Sequence, residues 1–387
     1  MLNKMYKVLE KYIKPYYTKA EEIAYKGPYN KDLETYTGHT LEHAREVMEN
    51  AIKYKEAIEN YFENNKFIDK DNNPLYGKIH LETLYASAAF HDIGMGVEKE
   101  EYREKGLKAG KQLRNEHALN SGVELMKYKD YIKDDFEKFN VDPEKVAVII
   151  YFHSKSCSGL QKVDENGKSK TVKLDLTNIG DIKISIENFK EECRINDIEF
   201  KGEFSEQEYK DISIVASIIR IADANRDGKR ITDMRGRIPR ITGQIHSDTN
   251  SMDGEVEDAK LNLGDKEYSA DNYTKAIYIG EGNCKFDLNY DKESNKLNYD
   301  IYIFDINKAP NSTSLVISER FGEIDSTFIK DNLGTDNKNT NININIICDD
   351  EQKGRDFIKN NLIKHKKMKN YKERYEKIMQ VKKGKED

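Results

Sequence analysis

The stretch AAFHDIGMG, residues 88–96, ends an apolar run in an adjacent histidine and aspartate, His91 and Asp92, with two glycines close behind. A buried carboxylate without a partner costs several kcal/mol, so a carboxylate at the end of an apolar segment asks for a cation. The chain offers more groups of the same kind. Of its eight histidines, His39, His43, His91, His117 and His153 fall in the helix-patterned part of the sequence. His39 and His43, in GHTLEHAREV, are one helical turn apart and project from one face. Successive helical positions differ by roughly 100°, so His91 and Asp92 can reach one ion from adjacent sides. The carboxylate then has a second oxygen with which to bridge another. Asp223 closes the apolar run IVASIIRIAD and is a further carboxylate in need of a cation.

Imidazoles and carboxylates suit divalent transition-metal ions, with Mn, Fe, Co, Ni and Zn all compatible. Two such ions can clamp a phosphoryl group while a water between them serves as nucleophile at neutral pH, so neither a cysteine nucleophile nor a Ser-His pair is required. The flanking residues point to phosphate. HSKSCSG places Ser154, Lys155 and Ser156 after His153, and RDGKRITDMRGRIPR places Arg226, Lys229, Arg230 and Arg235 after Asp223. Guanidinium forks match phosphate oxygens and stabilise charge on a transferring phosphoryl group. Asp92, Lys155 and Arg235 therefore take the catalytic assignment, and the others substrate binding. Each residue also has a plainer role. His39 and His43 could serve at a helix start, His117 on a solvated helix, His153 in a core, Asp223 in a pair with Arg226, and the arginines in a solvated loop.

The elements that must position these groups are mostly helices. Apolar spacing predicts an N-terminal helix through Leu2, Met5, Leu9 and Ile13, another from Gly38 to Phe62, and a third from Leu81 to Phe90 that Gly94 and Gly96 stop. VDPEKVAVIIYFH supplies Asp142 as N-cap and Pro143 as first helical residue, which places His153 on the face of Val146, Ile149 and Ile150. A further helix runs from Asp211 to about Asn225. Between these last two, residues 157–207 form a β-rich insertion, with TVKLDLTN and DIKISIEN alternating as strands do. The fold class is thus a mostly α-helical bundle over 1–247 with an inserted β-hairpin. A smaller α+β domain over 248–387 follows, with strands CKFDLNYD, KLNYDIYIF and NININII, a helix near 315–331, and a long basic helix over 351–379 that ends the chain.

Composition narrows the function further. The 387 residues suffice for two domains, and 64 basic against 70 acidic residues give a net charge of −6. This balance argues against bulk nucleic-acid binding. Four widely spaced cysteines form neither a zinc ribbon nor a disulfide framework. No stretch approaches the roughly 20 apolar residues of a membrane span. The chain reads as cytoplasmic, acting on a small phosphorylated or nucleotide substrate, with homodimerisation through the C-terminal domain as a candidate partner mode.

The order His, His-Asp, His, His, Asp resembles that of the HD superfamily of metal-dependent phosphohydrolases. The motifs are His43 in HTLEHAREV, His91 and Asp92 in FHDIGMG, His117 in HALNSG, His153 in YFHSKS and Asp223 in RIADANRD, together spanning about residues 36–230. The resemblance implies an HD-domain bundle in which His43, His91, Asp92 and Asp223 hold one ion and Asp92, His117 and His153 a second. It also makes His39 a candidate additional metal contact. The ligand order is similar to that of HD-GYP phosphodiesterases, but no Gly-Tyr-Pro tripeptide occurs and Ser154 follows His153, so cyclic-di-GMP specificity is not implied. The implied activity is hydrolysis of a phosphoester, a nucleotide or cyclic nucleotide, by a hydroxide bridging two metal ions. A mixed-valent di-iron oxygenase of the myo-inositol oxygenase type shares the ligand order and stays open as an alternative, as does a non-catalytic, metal-stabilised nucleotide-binding module.

Overall fold

Helix α1, Leu2–Lys26, forms because Met5, Leu9, Ile13, Tyr17 and Ala20 recur at helical spacing and are all buried. The computed structural model describes residues 1–26, 40–65, 77–97, 108–154, 161–163, 169–171, 174, 176, 178–225, 260–262, 267–269, 284–306, 310–325, 342–364, 368 and 379–384. These fall into two units, one within 1–223 and the other within 224–325 and 335–387. The domain boundary expected at 247/248 lies outside the described residues.

In the first unit, α1 packs on α3, Leu81–Phe90, and on the 3₁₀ turn Ile93–Gly96 that follows it. The Tyr17 hydroxyl donates to Ala89 O at 3.0 Å. Helix α2, Leu41–Asn65, lies against α3, and α4, Lys108–Lys127, lies against both the 3₁₀ turn and α6, Pro143–Phe152. A shorter helix, α5, Lys129–Glu137, joins them. Helix α6 starts as the sequence predicts, with Asp142 accepting from Glu144 N and Pro143 at the first helical position. Its Val146 to Ile150 run is wholly buried, and each Val or Ile contributes about 1.5–3 kcal/mol. Helix α8, Glu206–Ala224, is tied across the bundle by Asp211, which accepts from Lys78 N at 2.7 Å, Gln207 Nε2 at 3.1 Å and Lys145 Nζ at 3.3 Å.

The insertion departs from expectation. Strands β1, Gln161–Val163, and β2, Ser169–Thr171, form a short antiparallel hairpin upstream of the expected one, reached by TVKLDLTN only at Thr171 among the described residues, and DIKISIEN is helical and lies within α7, Ile179–Ile195. Ile182, Ile184 and Ile186 alternate like a strand, yet the residues buried together are Ile182, Ile186, Phe189 and Cys193, a helical set. Ile184 is 54% exposed. Asn178 caps the helix by accepting from Asp181 N.

The second unit contains two short strands, β3, Lys260–Asn262, and β4, Glu267–Ser269, and a sheet of β5, Cys284–Asp291, β6, Lys296–Ile303, β7, Ile342–Cys348, and β8, Met379–Lys383. Their order is β5-β6-β7-β8, with the first pair antiparallel and the others parallel. Helix α9, Pro310–Asp325, leads from β6 toward β7. Helix α10, Glu351–Phe357, runs on into a π turn, Ile358–Leu362. One sheet face carries Phe286, Leu288, Leu297, Ile301, Ile344 and Ile346, and the other an amide ladder in which Asn345 Nδ2 donates to Asp300 Oδ1 at 2.6 Å. The long basic helix expected over 351–379 is corrected here. Met379, its expected last residue, opens β8, whose alternation of Met379 and Val381 with Gln380 and Lys382 pairs in register with β7. Among the described residues, no helix is long and apolar enough to cross a membrane.

Candidate metal centre

The ends of helices α3, α6 and α8 bring the site together. His91 is the C-cap of α3, His153 is the C-cap of α6, and Asp223 is in the last turn of α8. Helix C-termini carry partial negative charge, and three of them at ligand-bearing positions favour a cation. His43 enters from the first turn of α2 and His117 from the body of α4. Asp92 stands at the N-cap of the 3₁₀ turn, but its side chain makes no capping hydrogen bond.

Two groupings result, and they share Asp92. His43, His91, Asp92 and Asp223 have ligand atoms within 4.8 Å of one another, as do Asp92, His117 and His153. Asp92 Oδ2 faces the first group, 2.9 Å from His91 Nε2 and 3.6 Å from His43 Nε2. Its Oδ1 faces the second, 3.4 Å from His117 Nε2 and 3.5 Å from His153 Nε2. Asp223 Oδ1 lies 3.0 Å from His43 Nε2 and 3.7 Å from His91 Nε2. The imidazoles form a continuous row, with ring centroids 5.4 Å apart for His43 and His91, 5.2 Å for His91 and His153, and 4.9 Å for His153 and His117.

Protonation states follow from the partners. His91 Nδ1 is 2.8 Å from Ala88 O and His153 Nδ1 is 2.7 Å from Ile150 O. A carbonyl only accepts, so both Nδ1 atoms carry the proton, and in a neutral ring each Nε2 presents a lone pair. The His153 Nε2 then meets His117 Nε2 at 2.9 Å, and the buried His91 Nε2 meets a carboxylate oxygen without forming a hydrogen bond to it. A proton on His117 Nε2 can bridge the first pair, and a cation can take the place of a proton between any of these facing atoms. The four imidazoles and two carboxylates therefore fit a divalent cation. Burial disfavours charge on His91, but Asp92 and then Asp223 outweigh it and push this imidazole up to about 10. Both carboxylates thus stabilise a cation at this point, a proton or a metal ion.

Side-chain exposure locates the approach. His43, His91, Asp92 and His153 are buried, whereas the Asp223 side chain is 21% and that of His117 14% exposed. Among the described cysteines, burial pushes the free Cys193 and Cys284 thiols up to about 12, which keeps them protonated and poorly nucleophilic.

Residues 40–225 match the family model of the HD domain. The chain contains an HD domain. No curated protein and no solved structure matches it. The HD domain implies metal-dependent phosphohydrolase-type activity, and the six residues brought together are those that the sequence motifs single out. Ser154 follows His153 and is half-buried. His39, Lys155, Ser156, Arg226, Lys229, Arg230 and Arg235 lie outside the described residues. Sequence reasoning gave no role to Ser121 or Arg220 and read Gly94 only as a helix stop, whereas all three make contacts between the elements that carry the ligands. Gly94 N donates to Ser121 Oγ at 2.8 Å, and the buried Arg220 guanidinium donates through Nη2 to Phe152 O at 2.6 Å. The lone arginine inside IVASIIRIAD was the available signal for the last.

Proposed function

We propose that the HD domain hydrolyses a phosphoester, in the form of a nucleotide or cyclic nucleotide, at a centre of two divalent transition-metal ions. The observation that carries this reading is the shared carboxylate, since Asp92 directs one oxygen to each grouping. When bound, the ions supply Lewis acidity to the phosphoryl oxygens and lower the pKa of the attacking water. His43, His91 and Asp223 would hold one ion, His117 and His153 the other, and Asp92 both. The Nδ1 hydrogen bonds of His91 and His153 fix their rings and tautomers, the role such outer contacts serve at metal centres. The more open side, at Asp223 and His117, admits the substrate. Ser154, Lys155 and Ser156 follow His153 in the chain, and Arg226, Lys229, Arg230 and Arg235 follow Asp223. We assign them to the phosphate oxygens, with Lys155 and Arg235 neutralising charge on the transferring group.

The test is a screen of phosphomonoesters, phosphodiesters and nucleotides against protein loaded in turn with Mn, Fe, Co, Ni and Zn. The expected result is metal-dependent release of phosphate or of a phosphomonoester, abolished in Asp92→Asn. Oxygen consumption confined to the iron form would contradict hydrolysis, as would tight nucleotide binding without turnover in every metal form.

A further inference from the structure

Arg220 lies one turn before Asp223 on α8, is 2% exposed, and its guanidinium reaches the residue before His153 in the other half of the site. Its Nη2 donates to the carbonyl oxygen of Phe152 at 2.6 Å, and its Nη1 lies 3.5 Å from the carbonyl oxygen of Leu174. Phe152 is the last residue of α6, directly before His153, and its carbonyl is among those a helix leaves without an internal partner. A guanidinium at this helix end also meets the negative end of the helix dipole. Leu174 belongs to the limb that returns from the insertion. Two residues on, Leu176 O accepts from Ser213 Oγ of the same helix α8 at 2.6 Å, and both leucine side chains are buried. Helix α8 thus grips the root of the segment that leaves at His153 and returns at Leu174, while presenting Asp223 to the other metal grouping.

We infer that Arg220 is a positioning residue that sets the His117/His153 half of the centre relative to the Asp223 half, by bridging the carbonyls of Phe152 and Leu174. The inference rests on the two-ion reading above. The influence of Arg220 on His153 runs through the backbone of α6, and its influence on the insertion runs through Leu174. A planar fork suits two carbonyls in different directions, and a lysine ammonium does not reproduce it.

The experiment is titration of metal-free full-length protein with Mn²⁺, following the electron paramagnetic resonance of the free ion, for the wild type, Arg220→Lys and Arg220→Met. The wild type should show two binding events. Arg220→Lys keeps the buried charge and should bind the tighter ion within about twofold of wild type while the second weakens about tenfold, the lower end of what outer contacts at metal sites contribute. Arg220→Met should show the same asymmetry, enlarged. A merely structural role would lower the melting temperature without changing the ratio of the two affinities. Wild-type affinity for both ions in Arg220→Lys would overturn the inference, whether or not Arg220→Met folds. An equal loss of both ions in either folded variant would do the same. A wild-type chain that takes up one ion or none would instead defeat the two-ion reading itself, so the two failures are distinct.

Discussion

Gly94 donates its backbone N–H to Ser121 Oγ at 2.8 Å, and a Cβ at Gly94 would stand 2.1 Å from the carbonyl oxygen of His117. The glycine of the HDIG stretch and the serine one turn beyond His117 are thus two sides of a single contact. It joins the turn that carries Asp92 to the helix that carries His117. A side chain at position 94 would press on backbone at His117 and Ser121, which cannot move aside as a flexible side chain can.

Gly94→Ala is therefore expected to lower stability by about 1–3 kcal/mol, the range of overpacking in a close-packed site. It should also weaken metal uptake, because α4 must shift and take His117 with it. Urea midpoints and metal content, measured on the same preparation, check both effects.

Ser121→Ala removes the acceptor and leaves the buried Gly94 N–H unsatisfied, at a cost of about 1–3 kcal/mol. Space is preserved, so its metal content should stay closer to wild type than that of Gly94→Ala. Equal metal loss in both variants would show that the contact matters only through its hydrogen bond.

Remote from the site, Asp135 on α5 joins α1 through Lys11 Nζ and the Tyr12 hydroxyl, each at 2.6 Å. The Lys11 ammonium, with Lys138 and the Tyr12 hydroxyl behind it, holds the Asp135 carboxyl well below the usual carboxylate range. A depressed folded pKa adds stability that is fully present above the unfolded value near 4 and is lost as pH falls through the folded one. Lys11 is largely exposed, which discounts the pair to about 1 kcal/mol. Asp135→Asn should lower the urea midpoint by a constant amount between pH 8 and pH 5, and the gap to wild type should close below pH 4.

Much of the site was legible because metal chemistry restricts residue types. Imidazoles and carboxylates at the ends of apolar segments are scarce, and His43, His91, Asp92, His117, His153 and Asp223 stand out in the sequence alone. Helix α6 was equally readable from Asp142 and Pro143. The misreadings share a physical cause. In DIKISIEN a short alternating apolar run fits both periods, and only the more distant Phe189 and Cys193 reveal the helical one. In β8 only Met379 and Val381 alternate with Gln380 and Lys382, too short a run to stand out beside the basic stretch of sequence before it. Gly94, Ser121 and Arg220 act through contacts between elements far apart in the chain, which spacing does not encode.

The insertion should govern substrate choice, but α7 sets a limit on how that is tested. Its Ile182, Ile186 and Phe189 belong to the core, so the segment to exchange is 157–173 rather than 157–207. Replacing 157–173 with a short Gly/Ser loop should leave metal content near wild type and change the ranking of substrates in a phosphoester screen. An unchanged ranking would assign specificity elsewhere.

Whether Asp92 joins two metal sites is read from metal content per chain, by elemental analysis after saturation and gel filtration, for the wild type and Asp92→Asn. The amide keeps the size of the carboxylate but loses the charge through which one oxygen faces His91 and the other His117. We expect about two ions for the wild type, as a two-metal hydrolytic centre requires, and the loss of at least one in folded Asp92→Asn. A wild-type chain holding one ion or none, or an Asp92→Asn chain that retains two, would contradict that joining role.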